Sequence, residues 1–283
     1  MDGRTVERHA VAGLTFDVEV AGPAGGERVL LLHGWPERGA MWCGLMDTLA
    51  DQGLRCAAPD QRGYSPDARP LHVEDYRMPL LVADAAGLLD ALGWETAHVV
   101  GHDWGSMVAW HLAATARTRV RSLTAVSVPH PRAMGAALAT DPDQQARSSY
   151  IRLFREAPDR AVEALLANDA AALVGVFAGS GLREEAVRAL VAPLLDPAAL
   201  LATLSWYGAA SAEDAKGCGP VRVPTTFIWG PLDIAIGRVA AEGCAAQVAA
   251  DYRFVELPGV GHWVAEQVPD ALAEAVLQQI EGA

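Results

Sequence analysis

Residues 99–113 read VVGHDWGSMVAWHLA: an apolar, β-branched run, a Gly-x-Asp-x-Gly turn and a helical pattern, with Asp103 at the tip. Strand, sharp turn and helix in that order form an elbow that lifts one side chain clear of the backbone. Gly101 and Gly105 let the neighbouring backbone pass closely. Such elbows usually carry serine. A carboxylate in that place does different chemistry: it needs no base to activate it, attacks a polarised carbon by displacement and becomes an ester. A serine elbow suits acyl transfer. An aspartate elbow suits alkyl transfer from a small strained ether or an alkyl halide. Unpaired N–H groups at the start of the following helix favour the ionised, reactive carboxylate. Aspartate is also an ordinary turn residue, so Asp103 is read as a nucleophile because of the partners the rest of the chain supplies.

An ester on Asp103 must be hydrolysed, which requires a base for water, an acid to orient the base and a site for the oxyanion. His262, in LPGVGHWVAEQVP, follows the last strand on a glycine-rich loop and is the candidate base. Of the other histidines, His9, His72, His98 and His130 suit surface or structural places, while His102 and His111 flank the elbow and suit packing or capping. Asp233, in WGPLDIAIG, follows another strand and is positioned to hold His262 through its ring N–H, although aspartate also caps helices and turns. The chain order acid, acid, histidine is the nucleophile–acid–base order of elbow hydrolases. HGWP (33–36) follows the strand at 28–32, and the backbone N–H groups of Trp35 and Trp104 are the candidate oxyanion hole. One such donor is worth about 3 kcal/mol.

These residues need a scaffold that gathers them. Residues 5–21 alternate and predict a hairpin. Strands are expected at 28–34, 54–60, 96–101, 120–129, 223–230 and 252–259, and helices at 39–52, 76–92, 104–116 and from the last strand to about 281. Strands alternating with helices predict an α/β fold with a mostly parallel sheet covered on both faces. Ligands bind such sheets at the carboxyl ends of the strands, where Gly34, Asp60, Asp103, Asp233 and His262 all fall. From 132 to 214 the chain is Ala-rich and helical, which divides it into a first core part (1–131), a helical lid (132–214) and a second core part (215–283).

The 283 residues are 51% apolar and 20% charged, enough for a substantial core. A net charge of −13 disfavours nucleic acid and anionic membranes as partners. Cys43, Cys56, Cys218 and Cys244 lie far apart without CxxC or zinc spacing and read as free thiols. The opening residues carry no apolar signal core, and no apolar run reaches membrane-spanning length. A soluble, cytoplasmic protein is expected.

Together, HGWPE (33–37), DQRGYSP (60–66), GHDWG (101–105), SVPHPRA (127–133), WGPLD and GVGHW resemble the α/β-hydrolase fold and, within it, the epoxide hydrolase family, over nearly the whole chain. The resemblance implies an α/β-hydrolase core with a helical lid, no metal or organic cofactor, and a small hydrophobic epoxide and water as the reacting partners. It also implies two lid tyrosines that donate to the epoxide oxygen, and Tyr150 in SSYIRLFREAP and Tyr207 in LSWYGAA occupy segments similar to the family's tyrosine motifs. A positioned proton donor contributes about 10²–10⁴-fold. The chain departs from the family at Gly208, where arginine is frequent. Haloalkane dehalogenases share the Asp elbow, the His and the Trp after the nucleophile, and need halide donors, commonly an Asn in HGxP or a second Trp in the lid; Trp104 could serve as one, but HGWP lacks Asn and Trp206 is the only lid Trp. Fluoroacetate dehalogenases need arginines after the nucleophile, where this chain has Trp104, Ser106 and Met107. A non-catalytic ligand-binding protein on the same fold is the other alternative.

Overall fold

The structure, a computed structural model, describes residues 3–283. Strands β1 (Thr5–Val11) and β2 (Leu14–Ala21) form the antiparallel hairpin, turned at Ala12 and Gly13. They are followed by β3 (Arg28–Leu32), β4 (Arg55–Pro59), β5 (Ala97–His102), β6 (Val120–Val126), β7 (Thr225–Trp229) and β8 (Tyr252–Glu256). The eight strands form one sheet in the order β1-β2-β4-β3-β5-β6-β7-β8. β2 runs antiparallel to β4, and every pair from β4 to β8 is parallel.

The central strands are apolar without interruption because both of their faces are covered. Leu30, Leu32, Val99, Leu123 and Phe227 join the core on one face, with α2 (Met78–Ala91) and α3 (Trp104–Thr115). Val29, Leu31, Val100, Val126 and Ile228 join the core on the other, with α1 (Cys43–Asp51). Successive side chains of one strand point to opposite faces, so a run such as Val29–Leu32 feeds both cores.

Between β6 and β7 the chain is helical from Pro131 to Gly217: α4 (Pro131–Thr140), α5 (Pro142–Arg147), α6 (Ile151–Glu156), α7 (Pro158–Gly175), α8 (Glu184–Val191), α9 (Pro197–Ala209) and α10 (Ala212–Gly217). After β7 come α11 (Arg238–Glu242), α12 (Val264–Gln267) and α13 (Pro269–Glu281), the last packed in the same core as α1. α7, within the stretch expected to be helical, is broken: Asn168, Asp169 and Ala170 are left-handed, at φ 51°, 58° and 56°. Asn and Asp tolerate that conformation, and they sit at the break. The strand expected over 120–129 ends at Val126, because Ser127 turns the chain at φ 71°. Among the described residues no single helix is long and apolar enough to cross a membrane.

Candidate active site

Asp103 stands between β5 and α3 at φ 51°, ψ −120°, a conformation that L-residues rarely adopt. Its surroundings leave room for nothing larger than glycine at three places. A Cβ on Gly101 would lie 2.4 Å from the Gly105 carbonyl oxygen, and one on Gly105 would lie 2.1 Å from that of Leu32. A Cβ on Gly34 would lie 2.3 Å from the Cβ of Asp103 itself. The GxDxG pattern is thus a steric requirement of the elbow, and Gly34 of HGWP belongs to the same requirement. The carboxylate makes no capping bond to α3. Its Oδ1 instead accepts the Trp35 N–H at 2.8 Å. Trp104 opens α3, where its N–H has no intrahelical acceptor.

The second oxygen faces the histidine: Asp103 Oδ2 lies 3.7 Å from His262 Nε2. His262 Nδ1 lies 3.1 Å from both carboxylate oxygens of Asp233. Asp233 is wholly buried, and its Oδ1 also accepts the N–H groups of Ala235 at 2.7 Å and Ile236 at 3.0 Å. Burial pushes the Asp233 carboxyl up, but His262 and these donors outweigh it and hold the group below its ordinary value. Burial likewise pulls His262 down, and the charges of Asp233, Asp103 and Glu37 overcome it and lift the ring to about 9.

A cavity of about 770 Å³ opens over Asp103. Trp104, Met107, Tyr150, Tyr207 and Ile236 are among the residues that line it. The Tyr207 ring meets Trp104 edge to face at 5.1 Å, Phe154 at 5.0 Å and Tyr150 at 6.1 Å between centroids. Tyr207 is buried, whereas Tyr150 is 39% exposed. Tyr150 is exposed where it lines the cavity, yet loss of water around each hydroxyl, reinforced by the Asp103 charge, raises both phenols above their ordinary value, so both are protonated at neutral pH. At Gly208 a Cβ would lie 2.9 Å from Val73 Cγ2. The close seating of α9 on that turn accounts for a small residue there. Among the described residues no cluster of three or more His, Cys, Asp or Glu side chains forms a metal site.

Residues 27–269 match the alpha/beta hydrolase fold family. The chain is similar to the AB hydrolase superfamily protein YfhM of Bacillus subtilis, at 32% identity over 99% of both chains. It is also similar to Epoxide hydrolase A of Mycobacterium tuberculosis, at 33% identity over 95% of both. The chain is an α/β hydrolase of the epoxide hydrolase family. A solved structure of an epoxide hydrolase from hot-environment metagenomes superposes on this family member with a TM-score of 0.87, at 28% identity over 99% of both chains.

In this epoxide hydrolase family member the expected residues do not all converge. Asp103, Asp233, His262 and Trp35 meet; Asp60 instead accepts from Arg38 and from the Gly39 N–H, fixing the turn before α1. His33 ties HGWP to DQRG: its Nδ1 meets the Gly34 carbonyl at 2.9 Å and its Nε2 accepts the Gln61 N–H at 3.0 Å. Burial holds it neutral, at about 4. His98, His102, His111 and His130 are buried, as packing roles require.

Several partners escape a reading of the sequence. Ser127 is fully buried, its hydroxyl donating to Asp233 and lying 2.9 Å from His262 Nδ1. A polar residue closing an apolar strand beside the elbow was the available signal. Behind His262, His102 bridges the His262 carbonyl at 2.9 Å and Glu37 Oε2 at 3.1 Å. Glu37 is buried against Glu266, and each leaves one carboxyl oxygen without a donor, Oε1 and Oε2 respectively. Two buried carboxylates in contact do not both ionise. Burial lifts Glu37 to about 7, and burial with the Glu37 charge lifts Glu266 well above its ordinary value, so the pair holds a proton between them.

Proposed function

We propose that this protein hydrolyses a small hydrophobic epoxide to a vicinal diol through an ester on Asp103. The observation that carries the reading is the division between the two Asp103 oxygens: Oδ1 accepts the Trp35 N–H at 2.8 Å, Oδ2 lies 3.7 Å from His262 Nε2, and Asp103 lines the cavity. Oδ2 attacks the epoxide carbon from the face opposite its oxygen. The C–O bond breaks, and Tyr150 and Tyr207 deliver a proton to the developing alkoxide. The product is a glycol ester whose carbonyl oxygen is Oδ1, already in its hydrogen bond.

Esterification removes the negative charge of Asp103. That charge is one of those holding His262 at about 9, so its loss lowers the ring's pKa and lets it pass its proton to the tyrosinate left by the first step, giving the neutral imidazole that water activation requires. His262 then takes a proton from water, the water oxygen adds to Asp103 Cγ, and the Trp35 and Trp104 N–H groups hold the oxyanion. Asp233 stabilises the imidazolium. Collapse breaks the Cγ–Oδ2 bond, the imidazolium protonates the departing oxygen, and the diol leaves; the regenerated Asp103 carboxyl, now carrying one water oxygen, returns its proton to His262. In this reading residues 132–214 act as the lid that carries the tyrosines, and the apolar lining of Met107, Val128, Met134 and Ile151 suits a hydrophobic guest. Dehalogenation is less well supported, because the Trp206 indole N–H is committed to the Arg62 carbonyl at 2.8 Å.

The test is a panel of terminal, aromatic and lipid epoxides assayed for diol, beside haloalkanes assayed for released halide. A single turnover in ¹⁸O-water should put label into the Asp103 carboxyl. Halide without diol, ligand binding without turnover, or label confined to the diol would each overturn the reading.

A further inference from the structure

The loop that carries Asp233 and the segment that carries Tyr150 are fastened to each other. Gln144, on α5, is fully buried. Its Nε2 donates to the Ala235 carbonyl at 2.8 Å, its Oε1 accepts the Gly237 N–H at 2.8 Å, and its second Nε2 proton goes to Ser148 Oγ at 3.0 Å. Three residues on, Arg147 donates to the Asp233 carbonyl and pairs through Nε with Asp143 at 2.8 Å. A Cβ on Gly237 would lie 2.9 Å from Asp143 Oδ2, so the two segments are in close contact.

Counting the polar groups of the acid loop shows what this contact does. The N–H groups of Ala235 and Ile236 go to the Asp233 carboxylate, and the Ile236 carbonyl accepts the Trp229 indole N–H at 3.2 Å. The Asp233 and Ala235 carbonyls and the Gly237 N–H go to α5. The primary amide of Gln144 supplies two N–H donors, to the Ala235 carbonyl and Ser148, and an acceptor to the Gly237 N–H. The same side chain holds Ser148, two residues before Tyr150. Ser148, Tyr150, Ala235 and Ile236 all line the cavity, so the seam is one of its walls.

We propose that Gln144, assisted by Arg147, is a positioning residue that sets Tyr150 at the reacting oxygen by locking its segment onto the acid loop. The proposal rests on the reading of Tyr150 as a proton donor. Displacing such a donor by about 1 Å costs on the order of 10²-fold in rate.

The experiment is a double-mutant cycle on the first chemical step. Wild type, Q144L, Y150F and Q144L/Y150F are mixed in excess over an epoxide that the diol assay has shown to be a substrate. Covalent adduct is then timed by rapid quench and intact mass. Q144L should slow adduct formation roughly 10- to 100-fold in the wild-type background and have little effect once Tyr150 is already Phe. Q144N, which keeps the amide on a shorter arm, should recover part of the rate. Independent slowing by the two changes, or slowing of ester hydrolysis alone, would overturn the proposal. Where Q144L does not fold, R147M carries the same cycle from a partly exposed position. Hydrogen exchange requires no substrate: in Q144L, amides of 148–152 and 233–237 should lose protection together. Loss in one segment only would also overturn the proposal. The absence of diol from wild type with every epoxide would instead strike the functional reading, leaving the exchange result to judge the coupling.

Discussion

The Ser127 hydroxyl sits on the edge shared by His262 and Asp233, 2.9 Å from Nδ1 and donating to the carboxylate. It thereby helps fix the carboxylate that sets the ring tautomer. Asp233 keeps its bonds from Ala235 and Ile236 when the serine is lost. S127A should therefore cost one charge-assisted hydrogen bond, about 1.5–3 kcal/mol, rather than the triad. Ester hydrolysis should slow by roughly 10- to 100-fold while alkylation is nearly unchanged, so adduct accumulates in the intact mass during turnover. An equal fall in both steps would show that Ser127 does not act through His262.

His262 supplies a pH signature. Its pKa in the folded protein is about 9 against an ordinary 6.5, so the protonated ring is favoured by folding. The resulting stability is fully present below about 6.5 and is lost as pH rises through about 9, at ~1.4 kcal/mol per unit of pKa elevation. H262Q should flatten the melting temperature across that window. H262A should also alkylate and then stall, retaining a mass increase equal to the substrate. In rate measurements, the ester intermediate should hydrolyse with an apparent pKa below the value that NMR finds for His262 in the free enzyme, because the Asp103 charge is gone. Identical values would remove the proposed trigger.

The acid pair behind the triad predicts a second, separate window. Folding raises the pKa of both Glu37 and Glu266, so the pair's contribution is present below about 4.5, and the share of Glu37 is lost as pH rises through about 7. E266Q supplies a permanent donor to Glu37. Melting temperature at pH 7–8 should rise, and its slope between pH 5 and 7 should flatten. A lowered melting temperature across the whole range would show that the pair is not sharing a proton.

How far the chain was legible follows from where each residue draws its role. The meeting of Asp103, Asp233 and His262 was legible: the steric demand on Gly101 and Gly105 is local, and strand ends in a parallel sheet converge. Ser127 and Gln144 were not. A buried serine and a buried glutamine resemble any polar turn or helix residue until the chain brings Asp233, 106 residues away, and Gly237, 93 residues away, into contact. Glu37 was quoted within HGWPE, yet only its burial against Glu266 makes it a proton-sharing acid. The break in α7 was hidden because LLANDAAALVGVF has helical composition, and Asn168 and Asp169, which tolerate left-handed backbone, also occur on the polar faces of helices.

The two tyrosines should differ in what their loss reveals. Tyr207 is packed among Trp104, Phe154 and Trp35, and Phe at 207 preserves those ring contacts while removing the hydroxyl. Y207F should leave the melting temperature within about 2 °C and slow alkylation at least tenfold. Y150F should do the same, and the double variant should be slower than either, since each phenol can partly serve for the other. Unchanged alkylation in both single variants and in the double would leave the epoxide oxygen without a proton donor and exclude these residues from the chemistry.

Gly34 ties the fold to the chemistry. A methyl group there would collide with Asp103, at 2.3 Å from Cβ and 2.4 Å from Oδ1, whereas the methyl groups of G101A and G105A would collide with backbone. Rotation can move Oδ1 aside but not Cβ, which the elbow backbone fixes, so G34A must shift one of the two turns. All three variants should melt many degrees lower, and in G34A that does fold the carboxylate leaves the Trp35 N–H. Alkylation should fall at least 10²-fold, with no adduct in the time the wild type completes one turnover. Full activity in a folded G34A would mean that the carboxylate does not need the Trp35 hydrogen bond, and the division of the two Asp103 oxygens would no longer support nucleophilic attack.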